Sequence, residues 1–210
     1  MRKPRLSSID VVAGTVSAVV VVLVLLGHGE SLEYRRTLLA AEPWRVLTGH
    51  LVHLNAQHAV INALALLIVA RLFAPDLGAL RQAAVLVITA VAISLGLALL
   101  YPSIAWYRGL SGVVHGLFFA GATAWLVRAR PRTLGALWLP LALVAGGWIK
   151  VLMEQPAGEA LPHVEWLGAA VVPQAHLIGA ACGTMLGLAA ALADRRRREQ
   201  GGEQQQLQRR

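Results

Sequence analysis

Charge is scarce in this sequence. Asp, Glu, Lys and Arg together make up 14% of its 210 residues, where a soluble domain carries about 25%. Hydrophobic residues fill the gap at 57%, and the mean hydropathy is +0.60. That balance excludes an ordinary soluble domain and points to an integral membrane protein. Acids are the scarcer sign, 11 against 19 bases, for a formal net charge of +8. The bases flank apolar runs instead of forming a stripe on a soluble surface, so no nucleic-acid partner is expected. Cysteine occurs once, as Cys182 within an apolar run. An intrachain disulfide is thereby excluded, and the residue reads as a small core side chain. A cleavage signature is missing too. The first apolar run follows "MRKPR" without a small-x-small site, so it is expected to remain as an anchor.

What the chain does have is long apolar runs. Six can be drawn, over about Leu6–Gly27, Leu47–Phe73, Ala83–Leu100, Leu110–Val127, Leu134–Met153 and Leu167–Leu192. Each is near the roughly 20 residues that cross a bilayer as a helix, and a lipid-exposed span must satisfy its own backbone hydrogen bonds. The expected fold is therefore all-α: a polytopic membrane domain of six transmembrane helices over residues 1–194. Of the Lys and Arg residues, 14 fall in segments on the N-terminal side of the membrane and 5 on the other, which puts both termini in the cytoplasm. "RRRR" at Arg195–Arg198 reads as a topological anchor with an added attraction for anionic lipid. Residues 195–210 are expected to be a disordered polar tail. Pro140, Gly146 and Gly147 suggest a bent fifth helix.

With this topology the second, fourth and sixth spans all enter from the outer face, and each carries polar residues near its entry. The second holds His50, His53, Asn55, His58 and Asn62. On one continuous helix His58 and Asn62 share a face, while His53 and His58 diverge. The fourth holds Ser111 and, one turn deeper on the same face, His115. Gly109, Gly112 and Gly116 surround them as helix-packing residues, and Gly112, Gly116 and Ala120 form a small-xxx-small row. The sixth holds His176 above Gly179, Gly183 and Gly187. If the two glycine rows pack together, Ser111 and His176 come within hydrogen-bond reach.

The chemistry of such a pair is definite. A serine hydroxyl becomes a nucleophile when a base takes its proton, and the oxyanion that forms on attack needs preorganised donors. His58, the Asn62 amide and the first backbone N–H groups of the fourth helix are candidates. No acid lies inside the spans near these residues. Glu154, Glu159 and Glu165 fall in the outer loop after the fifth span, so a Ser–His dyad is expected rather than a triad. His53 and His115 are candidate modulators. The H-x2-H-x4-H spacing of His50, His53 and His58 matches no zinc pattern, so no metal or other cofactor is expected. A histidine-lined metal carrier remains a rival reading, without an internal repeat to support it. His28 and His163 need no special role.

Three stretches resemble a known family, the rhomboid intramembrane serine proteases. "GLSG" at Gly109–Gly112 is similar to its G-x-S-G motif, "HLNAQHAVIN" at His53–Asn62 to its H-x4-H-x3-N motif, and "AHLIGAACG" at Ala175–Gly183 to its sixth-helix A-H-x-x-G-x-x-x-G motif. "EPWRVLTGHLVHLN", "GLSGVVHG" and the short layout resemble one branch, the rhombosortases. The resemblance implies a rhomboid-like bundle with Ser111 as nucleophile and His176 as general base. His58, Asn62 and the Ser111 N–H would stabilise the oxyanion. It implies a multi-pass protein of the bacterial inner membrane whose site opens to the periplasmic side. The branch implies cleavage of Gly-Gly-type C-terminal sorting helices of exported proteins, with lipid as the other partner. The alternative is a non-proteolytic rhomboid-like binding protein or chaperone. His115 departs from the general family pattern and is assigned no role by it.

Overall fold

A computed structural model describes residues 7–129, 134–155 and 171–208. Eight α-helices are found among them: α1 (Ser8–Leu25), α2 (Gly29–Leu32), α3 (Arg45–Thr48), α4 (Ala56–Leu72), α5 (Ala79–Leu100), α6 (Ser111–Arg128), α7 (Leu134–Met153) and α8 (Pro173–Gln208). The six long ones fall on the six apolar runs. By length and composition, Ser8–Leu25, Ala79–Leu100 and Pro173–Gln204 are long and apolar enough to cross a membrane, and Ala56–Leu72 and Leu137–Met153 are shorter apolar helices.

The burial pattern inverts that of a soluble protein. Leu64, Ile68, Leu80, Leu99, Trp138 and Met185 face outward, while Gln82, Thr89, Ser94, Asn62 and His176 are buried. Outward apolar surface is costly in water and costs nothing in lipid, so the outer faces are built for a bilayer. Several of the buried polar groups find partners inside. Gln82 donates to the carbonyls of Ala70 and Leu77, and Ser17 on α1 donates to Ala63 O on α4.

The core seam is α6 against α8. Gly179, Gly183 and Gly187 of α8 lie on Gly112, Gly116 and Ala120 of α6, so closely that a Cβ on any of the three would overlap the facing carbonyl oxygen. Small residues four apart permit this approach. Gly109 is the exception, because it precedes α6 and shapes the turn instead of packing a helix face.

Two boundaries differ most from the sequence expectation. The second apolar run is not one helix. It breaks at residues 49–55, and α4 starts only after Asn55, whose side chain caps it by accepting from His58 N–H at 2.8 Å. Apolarity continues through Leu51 and Val52 although the helix does not, because these residues pack in a loop. At the other end α8 runs on as helix through Gln208, past the expected end of the sixth span at Leu192. Its Arg, Glu and Gln residues are good helix formers, and Arg195 pairs with Glu199 one turn on. The expected start of the sixth span at 167–170, the loop residues His163, Glu159 and Glu165, and Arg130 and Arg132 lie outside the described residues.

One end of the bundle is tied by charge. Asp10 at the start of α1 pairs with Arg71 at the end of α4. Asp194 of α8 accepts from Arg81 of α5 and from Arg128 of α6, and Arg128 also donates to Asp76 O. The start of α1 and the Asp194 turn of α8 therefore lie at the same end. Asp194→Asn is expected to lower stability by about 1 kcal/mol, since these pairs are partly solvated and screened. Thermal unfolding in detergent should fall by a few degrees, with activity per folded molecule unchanged.

Candidate active site

The opposite end carries the polar constellation, and its backbone is pinned before α6 begins. Strand β1 (Tyr34–Arg35) pairs antiparallel with β2 (Trp106–Tyr107), with Tyr34 opposite Tyr107. Buried Glu33 accepts from Arg108, which follows β2. Gly109 then adopts φ +137, a conformation L side chains rarely reach. Its N–H donates to Gly49 O at 3.1 Å, and its carbonyl accepts from the Tyr107 hydroxyl at 2.6 Å. Burial pushes the Tyr107 phenol up to about 12, so it stays a donor. Leu110 N–H donates to His53 Nε2 at 3.2 Å. Ser111 follows as the first residue of α6, where the backbone N–H groups lack intrahelical acceptors.

His176 sits in the first turn of α8, buried. Its Nε2 is 2.9 Å from Ser111 Oγ, and its Nδ1 is 2.9 Å from Glu154 Oε2. A carboxylate only accepts, so Nδ1 carries the hydrogen and Nε2 turns its lone pair to the serine hydroxyl. No acid was expected beside this pair. Glu154, in the outer loop as expected, is the residue directly after α7, and its carboxylate reaches His176 with its side chain only 8% exposed. Its other oxygen accepts from Lys150 Nζ at 2.6 Å, one turn back on α7. Burial alone would raise the Glu154 carboxyl, but the hydrogen bonds from His176 and Lys150 outweigh it and hold it at about 2.

His115 joins the same group. Its Nδ1–H donates to Ser111 O at 2.8 Å, and its Nε2 accepts from Lys150 Nζ at 3.1 Å. Its ring stacks on His176, with centroids 4.2 Å apart and planes 15° off parallel. Both ring nitrogens are thus engaged away from His58.

His58 and Asn62 lie on α4 across from this group. The His58 ring packs edge-on to His53 at 4.8 Å, where one continuous helix would have separated them. A Cβ on Gly109 would meet His58 Cε1 at 3.1 Å, so the ring borders the serine turn. The Asn62 amide donates to His58 O at 2.9 Å, along its own helix. His50 is not at the serine: its Nε2 donates to Ser94 Oγ, which donates to Val46 O. His53 serves the turn as acceptor for Leu110. Among the described residues, His115, Glu154 and His176 offer ligand atoms within 4.8 Å of one another, enough to hold a metal ion. Those atoms are already engaged with Ser111, Lys150 and each other, so a cation would have to displace the Lys150 ammonium.

Lys150, Glu154 and Tyr107 had no assigned part at this site on sequence grounds. The one available signal was the Lys150–Glu154 spacing, an i,i+4 charge pair at the end of an apolar span.

An outward-facing apolar surface around a buried hydroxyl–imidazole pair defines a helical membrane protein with a serine–histidine site. The family model for the Rhomboid domain matches residues 40–192, from before α3 into α8 and including Ser111, His176, Glu154, His58 and Asn62. The chain belongs to the rhomboid family, whose proteases cleave transmembrane substrate segments within the membrane and which also has inactive members. No curated protein matches the chain significantly.

Proposed function

We propose that this protein is an active intramembrane serine endopeptidase. The observation that carries the reading is the 2.9 Å contact of Ser111 Oγ with the lone-pair nitrogen of His176. Ser111 attacks the peptide carbonyl while His176 takes its proton. His176 then gives that proton to the leaving amine, and water, deprotonated by His176, hydrolyses the acyl-enzyme. The oxyanion forms beside the first-turn N–H groups of α6, with His58 as the side-chain donor bordering the turn and Asn62 behind it. An apolar cleft lined by Val69, Val114, Phe118 and Phe119, with His115 and Lys150 on its wall, takes the unwound substrate segment.

The finer reading follows from the motifs and the charge pattern. The protein has six spans and both termini in the cytoplasm of a bacterium. It lies in the inner membrane with the site opening to the periplasm. The rhombosortase-like stretches favour C-terminal sorting helices of exported proteins, of Gly-Gly type, as substrates. A fluorophosphonate probe should label the purified protein at Ser111, with the adduct mapped to that residue by mass spectrometry. Ser111→Ala should lose both the label and the cleavage of a co-expressed anchor segment. Cleavage that survives in Ser111→Ala overturns the proposal, and absence of both label and cleavage in the wild type would leave a binding protein instead.

A further inference from the structure

We propose that Glu154, held by Lys150, is a positioning residue that makes the proposed dyad a three-residue relay. The inference rests on the functional reading above. Its geometric basis is independent of the family motifs, none of which includes Glu154.

An imidazole has two nitrogens and one proton to place. It can act as base toward Ser111 only if Nε2 is bare, and what the other nitrogen bonds to decides that. Glu154 Oε2 lies 2.9 Å from Nδ1, so it fixes the useful tautomer. When the Ser111 proton moves to His176, the ring becomes cationic in a buried place, and the same carboxylate supplies the opposing charge. The surroundings keep it there. Lys150 Nζ occupies the second carboxylate oxygen at 2.6 Å and reaches His115 Nε2 at 3.1 Å. The His115 ring then covers one face of His176. The imidazole is thus held on both nitrogens and on one face. Donors and acceptors balance through the group: Lys150 donates twice, to Glu154 and His115. His176 donates to Glu154, Ser111 to His176, and His115 to the Ser111 carbonyl. A buried carboxylate is costly unless paired, and both oxygens of Glu154 are paired within this group.

The test uses the full-length protein in detergent with a transmembrane reporter peptide. Glu154→Gln should lower kcat by up to roughly 10⁴-fold, the loss when the acid of such a relay is neutralised, with KM within about twofold. Glu154→Asp keeps the charge with a shorter reach and should recover part of that loss. Proton NMR of the wild type should show a strongly downfield Nδ1–H resonance that disappears in Glu154→Gln. A Glu154→Gln enzyme with wild-type kcat overturns the proposal. So does the absence of that resonance in the wild type, a reading that needs no variant to fold. Glu154→Gln that loses activity through KM alone also counts against it, as does Glu154→Asp no better than Gln. If Ser111→Ala cleaves normally, the protease reading fails instead, and the NMR signal still reports on the Glu154–His176 bond.

Discussion

Replacing His176 with phenylalanine is expected to abolish peptide cleavage, with kcat falling roughly 10⁴- to 10⁶-fold, as when the base of a serine-nucleophile site is removed. The choice of phenylalanine isolates the chemistry. A six-membered ring can keep the stack on His115, now 4.2 Å between centroids, so the packing at the top of α8 is retained. What disappears is both nitrogens: the lone pair facing Ser111 Oγ and the N–H that Glu154 accepts. Glu154 keeps Lys150, so the carboxylate is not stranded and unfolding stability should drop by no more than about 1–2 kcal/mol. Ser111 and His176 act as one unit, so Ser111→Ala combined with His176→Phe should be no slower than either alone. Cleavage of the reporter by the three variants and thermal unfolding of each make the comparison. A His176→Phe enzyme within tenfold of the wild type would mean that another group takes the serine proton.

The sequence carried the helices better than the breaks between them. α6 and α7 begin and end within a residue of their apolar runs, because apolarity and helix coincide wherever a segment must satisfy its backbone in lipid. They part company at Leu47–Val52, where apolar side chains belong to a short helix and a packed loop. A window of hydropathy cannot see the turn at Gly49 or the Asn55 cap. The serine–histidine contact was legible only conditionally: two rows of small residues four apart permit a close seam without fixing which helices form it, and where α6 and α8 do form it, it brings their tops together. Glu154 was not. It is 22 residues from His176 and 43 from Ser111, and only the docking of α7 brings it to them. As a residue at the end of an apolar run it reads as one more loop acid. Lys150 likewise counted as a topological charge, although half of its side chain is exposed and its ammonium bonds inward to Glu154 and His115. His115 gains meaning from the same docking event.

Gly183→Leu is expected to cut activity roughly 10²-fold from a position well below the serine. A Cβ there would overlap the Gly116 carbonyl oxygen and lie 2.8 Å from Gly116 Cα. Both obstacles are backbone, which no rotamer change relieves, so α6 and α8 must separate. Overpacking a tight interior costs about 1–3 kcal/mol or more, or several degrees in thermal unfolding for a chain of this size. The larger effect is catalytic. Ser111 and His176 stand at the top of the two helices that the glycines hold together, with 2.9 Å between Oγ and Nε2. A separation of about 1 Å takes that pair beyond hydrogen-bond distance, and misplacement on this scale costs roughly 10²-fold in rate. Gly183→Ala should fall between Leu and wild type in both readouts. Gly14→Ala on α1, where nothing lies within 4 Å of the added carbon, should leave activity unchanged and gain up to about 1 kcal/mol from helix propensity. Wild-type cleavage and unfolding temperature in Gly183→Leu would mean that the glycine seam does not set the distance between serine and histidine. Lost activity at an unchanged unfolding temperature would instead place the whole effect in the geometry of the site.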